Sequence, residues 1–219
     1  MIFKDRFEAG KLLAKRLKKL QEEGKIKDPV VLALPRGGVP VGVEIAKALN
    51  APLDLLFVKK IPSPLSEETA IGSVSESGQV FINKDAIEKL ALLGVNVDEE
   101  YIRQKAIEKI NDMAKKREIY KIKPIPLEGK DVIIVDDGIA TGASMYLAAQ
   151  SVVREHPRSI IIASPVGPMD ESVLNMLKSV SHHLEILHTP PMFMSVGQWY
   201  EDFHQLSDEE VKELLKDIN

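Results

Sequence analysis

The sequence predicts an α/β fold, a mostly parallel sheet flanked by helices on both faces. Two observations lead to this. Short aliphatic runs alternate with amphipathic segments of helical period. Most of the aliphatic runs would be apolar on both faces of a strand. Strands buried on both faces and separated by helices pair in parallel. The runs expected to form strands are VVLALP from Val30, LDLLFVKK from Leu53, VIIV from Val132, SIIIASPV from Ser159 and a short run near Leu184–Leu187.

The helices lie between these runs. The stretch KDRFEAGKLLAKRLKKL predicts a first helix, with Asp5 as its cap and Glu8 completing a capping box. We expect its apolar face to consist of Phe7, Leu13, Leu17 and Leu20. Ser207 and Glu210 predict a second capping box, which would start a helix near the C-terminus.

We expect one domain over residues 1–219, because this length suffices for a single sizeable core. The core should span about 28–188. Within it, residues 60–83 predict a flexible hairpin over the site, turning at Ser77–Gly78, and 84–122 a helical insertion. The segment 189–219 would form a small hood or appendage.

Composition narrows the function class. The net charge of -4 argues against a nucleic-acid binder. The best support for nucleic-acid binding is the basic run KRLKK in the first helix. The apolar runs are too short to span a bilayer, and charges at Lys4 and Asp5 argue against a signal peptide. The sequence has no cysteine. We therefore expect a cytoplasmic protein with no membrane partner.

The stretch VIIVDDGIATGAS places two acids, Asp136 and Asp137, directly after a buried strand. Ligands of open α/β sheets bind beyond the carboxyl ends of strands, so both acids should face a crevice. The loop that follows is made almost entirely of small residues: Gly138, Ile139, Ala140, Thr141, Gly142, Ala143 and Ser144.

Such a loop at the start of a helix holds an anion through converging N–H groups, and a phosphate is the usual guest. The acids would repel that phosphate, so they suit ribose hydroxyls or a metal ion better. Alternatively, the acids cap the next helix and the glycines only tighten a connection.

An earlier loop, LPRGGVPVG, follows the first strand. The guanidinium of Arg36 suits phosphate oxygens, while Gly37 and Gly38 allow the backbone to approach a ligand. Taken alone, this loop could equally be a tight turn with an exposed arginine.

Together these motifs resemble the type I phosphoribosyltransferase family, over about Val30 to Leu187. LPRGGVPVG, AIGSV and VGQWYEDFHQLSDEEV resemble, more narrowly, a subfamily without a settled acceptor. The resemblance implies that the acids hold the ribose of phosphoribosyl pyrophosphate and the loop its 5′-phosphate. It implies that Arg36, Gly37, Gly38, Lys59 and Lys60 hold the pyrophosphate.

The implied reaction is transfer of the phosphoribosyl group to a nucleobase or related small acceptor, with Mg²⁺. The resemblance assigns catalytic roles to Arg36, Lys60, Asp136 and Asp137, and an indirect role in binding the metal to the two acids. Ala140 departs from the purine-salvage pattern, which has an Asp there, because a methyl group cannot accept a proton.

Candidate acceptor residues are Pro165, Val166, Phe193, Trp199 and Tyr200. The first two end a strand that should open onto the same crevice, and the aromatic residues could cover a planar base. The alternative is that the aromatic residues pack the C-terminal segment onto the core.

Two other functions stay open at this stage. A non-catalytic protein could keep the donor pocket and sense phosphoribosyl pyrophosphate as a metabolic signal, which would require a second surface for a partner. A hydrolase is a weaker alternative, since no water-activating base is evident. The resemblance also implies a homodimer.

Overall fold

A computed structural model of the protein describes residues 1–218. They form two compact units, one built from Met1–Leu56 and the chain from Ile119 onward, the other from Phe57–Glu118. In chain order the elements are α1 (Arg6–Glu22), β1 (Pro29–Ala33), α2 (Gly38–Leu49), β2 (Leu53–Leu55), β3 (Val58–Pro62), β4 (Ala70–Ser75), β5 (Val80–Ile82), α3 (Lys84–Leu92), α4 (Glu99–Tyr120), β6 (Asp131–Val135), α5 (Ala143–Val153), β7 (Ser159–Val166), α6 (Glu171–Lys178), β8 (His183–His188) and α7 (Asp208–Lys216).

The first unit contains a five-stranded parallel sheet of order β2-β1-β6-β7-β8. Its central strand β6 is buried at every position, because the branched residues of VIIV are covered on both faces. Helices flank the sheet, so the predicted α/β fold is confirmed. All carboxyl ends of a parallel sheet meet at one edge, which brings together the loops after β1, β6 and β7.

The opposite edge of this sheet is held together by Asp131. Its buried carboxylate accepts hydrogen bonds from the N–H of Lys27 (2.7 Å) and Asp28 (3.1 Å), from Arg158 Nε (2.9 Å) and from Ser159 Oγ (2.6 Å). Burial alone would raise the pKa of Asp131, but these bonds outweigh it and hold the pKa well below its usual range. The amino ends of β1, β6 and β7 are therefore joined through one ionised group.

The second unit contains an antiparallel sheet of order β3-β4-β5 together with α3 and most of α4. The hairpin of β4 and β5 turns at Ser77–Gly78, as the sequence predicts, with Gly78 at a φ of 92°. Tyr101 Oη on α4 donates to the carbonyl oxygen of Pro62 at 2.7 Å, which fastens the helix to β3. Closure of this hairpin over the site stays a prediction.

Two local predictions are wrong. The run LDLLFVKK is not one strand: it divides into β2 and β3, which belong to different sheets. Phe7 is not part of the apolar face of α1, since 38% of it is exposed, whereas its neighbour Arg6 is 7% exposed. Leu13, Leu17 and Leu20 are buried as predicted.

The predicted caps are largely confirmed. Asp5 caps α1 by accepting the N–H of Glu8 at 2.8 Å, but the Glu8 carboxylate accepts the N–H of Lys4 and not that of Asp5. The full capping box forms at α7, where Ser207 and Glu210 accept each other's N–H groups at 3.1 Å. Among residues 1–218, no helix has the length and apolar character that a membrane crossing needs.

Candidate functional site

The two acids of the VIIVDDG motif lie at the carboxyl end of β6. Asp137 is buried and Asp136 is half-buried, with Asp136 Oδ1 accepting the N–H of Asp137 at 2.8 Å. The loop after them leads directly into α5. Gly142, at a φ of 81°, makes the turn that a residue with a side chain rarely adopts.

This loop exposes the groups that could contact an anion. Ala140, Thr141, Ala143 and Ser144 are exposed, whereas Ile139 is buried and its N–H donates to the carbonyl oxygen of Val166 at 2.9 Å. The loop is thus fixed to β7 on one side and open on the other. Its open side carries two hydroxyl groups and the N–H groups of the first turn of α5.

The early loop with Arg36 lies directly against the acids. A Cβ added to Gly37 would be 2.1 Å from Asp137 Oδ2, and one added to Gly38 would be 2.7 Å from the carbonyl oxygen of Val135. Only glycine permits these approaches. The structure therefore brings together the two motifs that the sequence places in separate loops; the Pro35–Arg36 peptide bond is cis.

Arg36 has an anionic partner within the first unit. Its Nη1 lies 3.9 Å from Oδ1 of Asp208, the first residue of α7, and Tyr120 Oη donates to the same carboxylate at 2.6 Å. Burial, together with the hydrogen bond to Asp208, raises the pKa of Tyr120. Asp208 thus links the end of α4, the start of α7 and the arginine of the early loop.

Arg6 is a site residue that sequence reasoning missed. Its Nε donates to Asp137 Oδ2 at 3.0 Å, its Nη1 donates to the carbonyl oxygen of His204 at 2.9 Å, and its guanidinium lies 4.2 Å from the centre of the Phe203 ring. Both charged side chains of the pair are buried. No local pattern signals this contact, because the partners are 131 positions apart.

The electrostatics of the two acids differ from those of exposed carboxylates. Burial, and then the negative charge of Asp137, raise the pKa of Asp136 well above its usual range. The positive charge of Arg6 opposes that shift. Arg6 therefore supplies the cation that allows two adjacent carboxylates to be held at one strand end.

The aromatic residues of the C-terminal segment pack against the same place. Tyr200 is buried, its hydroxyl donates to the carbonyl oxygen of Asp137 at 2.5 Å, and its ring stacks on Phe203 at 5.2 Å. Burial raises the pKa of Tyr200, so the hydroxyl stays protonated as a donor. Phe193 and Trp199 are partly buried against the cluster of Phe3, Ala9, Val166 and Tyr200.

The other candidate residues are placed as follows. Pro165 and Val166 are buried at the carboxyl end of β7, next to the loop between β6 and α5. Lys59 and Lys60 belong to the second unit, on β3, where both are exposed. His204 is exposed between Asp202 (2.9 Å) and Glu210 (2.7 Å), an arrangement that raises its pKa.

Of the two acids, Asp136 is the one whose carboxylate fits Mg²⁺ together with the phosphates of a bound substrate. The described residues contain no group of three or more His, Cys, Asp or Glu side chains arranged to hold a metal ion. Mg²⁺ is commonly bound through one or two carboxylates together with substrate phosphates, and Asp136 offers such a carboxylate. Asp137 has one oxygen already engaged by Arg6.

A family model and known proteins match most of this chain. A model of the phosphoribosyl transferase domain matches residues 4–178. A Mycobacterium tuberculosis protein named "Putative phosphoribosyl transferase Rv0571c" is 38% identical over 217 residues, 98% of this chain and 46% of the relative. The chain thus spans about half the length of the curated relatives it matches.

Two solved structures extend the likeness. TT1426 from Thermus thermophilus is 35% identical, with a TM-score of 0.80 over 100% of this chain and 99% of that one. A hypothetical protein from Neisseria gonorrhoeae with bound ppGpp is 13% identical, with a TM-score of 0.50 over 99% and 98% of the two chains, and shares the fold alone.

Proposed function

Because this chain belongs to the phosphoribosyl transferase family, we propose that it transfers a phosphoribosyl group from phosphoribosyl pyrophosphate to a nucleobase or related small acceptor. The observation that carries the proposal is the adjacency of the two loops, with Gly37 packed against the carboxylate of Asp137. A donor with a phosphate at each end of a ribose needs two anion-binding loops on either side of a hydroxyl-binding acid.

The loop before α5 would hold the 5′-phosphate. Its exposed side offers the N–H groups of the first helical turn and the hydroxyls of Thr141 and Ser144. The exposed Ala140 and Ala143 place no large side chain in the way of the phosphate. Asp136 and Asp137 would accept hydrogen bonds from the ribose hydroxyls.

The early loop would hold the pyrophosphate. Arg36 offers a planar guanidinium and Gly37 is partly exposed, whereas Gly38 is buried and its N–H donates to the carbonyl oxygen of Leu34 at 2.9 Å. The family resemblance assigns Lys59 and Lys60 to the pyrophosphate as well, where they would add positive charge.

In the proposed reaction the bond from C1 to the pyrophosphate oxygen breaks while a bond from C1 to an acceptor nitrogen forms. The electron pair leaves with pyrophosphate, and the proton lost by the acceptor goes to solvent or to pyrophosphate. Arg36 would stabilise the negative charge that develops on the leaving group. Mg²⁺, held through Asp136 and the donor's own oxygens, would supply further positive charge there when bound.

The residue at position 140 narrows the class of possible acceptors. Ala140 is exposed in the loop and has no group that accepts a proton, so a purine mechanism that relies on an acid at this position does not fit. We propose that the acceptor lies toward the carboxyl ends of β7 and β8, beside Val166, Phe193 and Trp199. We also propose that the protein is a homodimer and that it is located in the cytoplasm.

The test measures pyrophosphate release from phosphoribosyl pyrophosphate and Mg²⁺, with pooled purine and pyrimidine bases and with no base. Release that requires a pool supports the transferase, and dividing the pool identifies the acceptor. Equal release without base would indicate hydrolysis. Donor binding without release in any pool would favour a protein that senses the donor, and Asp136→Asn serves as the variant that should not bind.

A further inference from the structure

We infer that Arg6 is a positioning residue of the donor site: it holds the carboxylate of Asp137 through Oδ2 and so fixes the orientation of an acid proposed to bind the ribose. This inference rests on the proposed function and adds a residue outside both loop motifs. Arg6 would not touch the reacting atoms. It would act through Asp137.

The contacts of Arg6 fix its guanidinium in one place. Nε donates to Asp137 Oδ2, Nη1 donates to the carbonyl oxygen of His204, and Phe203 covers one face of the guanidinium plane. These partners come from the end of β6 and from the segment before α7, while Arg6 itself begins α1. Two hydrogen bonds and an aromatic ring thus hold the planar group in this orientation.

The opposite side of Asp137 is equally restricted. Gly37 lies so close that an added Cβ would be 2.1 Å from Oδ2 and 3.2 Å from Oδ1. Tyr200 Oη holds the backbone of the same residue through its carbonyl oxygen. The carboxylate is thus confined between an arginine and the early loop, which is the preorganisation that binding a ribose hydroxyl requires.

The test compares Arg6→Gln and Arg6→Lys with wild type and with Arg16→Gln. Arg16 is a matched control: it lies on the same helix and pairs with Glu185, but its side chain is half exposed. Calorimetry gives the affinity for phosphoribosyl pyrophosphate between about pH 5 and 8. We expect about a 10- to 100-fold loss for Arg6→Gln, partial recovery in Arg6→Lys, and no change for Arg16→Gln.

A purely structural role would weaken the binding of every ligand of the site alike. Calorimetry with inorganic pyrophosphate, which has no ribose, therefore supplies the second readout, and its affinity should be unchanged in Arg6→Gln. A folded Arg6→Gln variant with wild-type affinity for phosphoribosyl pyrophosphate, or with an equal loss of affinity for inorganic pyrophosphate, overturns the inference. If Arg6→Gln does not fold, Arg6→Lys is judged by the same two measurements.

These readouts separate the inference from the proposed function. Wild-type protein that binds no phosphoribosyl pyrophosphate would overturn the proposed function, and with it the donor role of Arg6. Donor binding by wild type that is unchanged in Arg6→Gln would overturn the inference and leave the proposed function standing.

Discussion

The carboxylate of Asp208 lies 3.9 Å from the guanidinium of Arg36, the residue proposed to meet the pyrophosphate. Asp208 begins α7, so the C-terminal helix supplies the arginine with an anion of its own. A bound pyrophosphate would compete with Asp208 for the same positive charge.

Asp208→Asn should therefore strengthen pyrophosphate binding. The pair is partly exposed, which limits the competing interaction to about 1 kcal/mol and the gain in affinity to about fivefold. The asparagine oxygen can still accept the hydrogen bond from Tyr120, so we expect little change in stability. Calorimetry with inorganic pyrophosphate measures the effect, and Glu209→Gln is the adjacent control. Weaker binding in Asp208→Asn would mean that Asp208 instead holds Arg36 in its binding position.

Asp136→Asn should abolish donor binding yet stabilise the folded protein at neutral pH. A raised carboxyl pKa means that the folded state binds a proton more readily than the unfolded state. In wild type this contribution to stability is present below the ordinary Asp pKa and is lost as pH rises through the raised pKa.

The asparagine has no such titration and can keep the hydrogen bond to the N–H of Asp137. The melting temperature of the variant relative to wild type should therefore increase between about pH 4 and 8. Thermal unfolding across that range measures the difference. A difference that does not change with pH would contradict the assignment of a raised pKa to Asp136.

For Asp131→Asn, the stability difference from wild type should depend on pH in the opposite sense. The lowered pKa of Asp131 contributes stability above the ordinary Asp pKa, and this is lost as pH falls. Replacement removes a charge-assisted network around Arg158 and Ser159 and should cost about 2–3 kcal/mol at neutral pH. Urea unfolding from about pH 3 to 7 tests this, because the gap between wild type and variant should narrow toward acid. A gap of constant size would refute the ionised network.

Gly37→Ala should disrupt the site through a steric clash. The added methyl group would lie 2.1 Å from Asp137 Oδ2, so the Asp137 carboxylate or one of the two loops must move, at a cost of about 1–3 kcal/mol. We expect donor binding to be lost. Gly129→Ala is a control with open space around its Cβ; its φ of 72° carries a backbone cost of about 1–2 kcal/mol, and it should leave donor binding unchanged. Normal donor binding by Gly37→Ala would show that the loops tolerate separation.

The sequence was sufficient to predict the parallel sheet and both loops of the candidate site. β6 and β7 were predictable because branched aliphatic residues fill them without interruption, and the hairpin because Gly78 marks its turn. The division of LDLLFVKK was not predictable, since Leu56 and Phe57 continue the apolar run without a glycine or proline at the break.

The contacts around Asp137 could not be predicted for a different reason. Helical spacing favours Phe7 as the buried residue, and a lone arginine is exposed by default. Arg6 is buried only because tertiary structure supplies a carboxylate, a carbonyl oxygen and an aromatic ring at the same point. Such partners are set by the ends of distant strands, which no local pattern records.

The pairing of β1 with β6 also dictates the order in which the protein can be completed during synthesis. Val31 pairs with Ile133, so one side of β1 has no neighbour until the whole unit Phe57–Glu118 has been made. Joining strands so distant in sequence slows folding, because a long loop must close before the contacts form. The contact of Arg6 with the His204 carbonyl oxygen forms later still, since the two residues are 198 positions apart. The buried arginine therefore finds its partners only after all five strands of the parallel sheet have been synthesised.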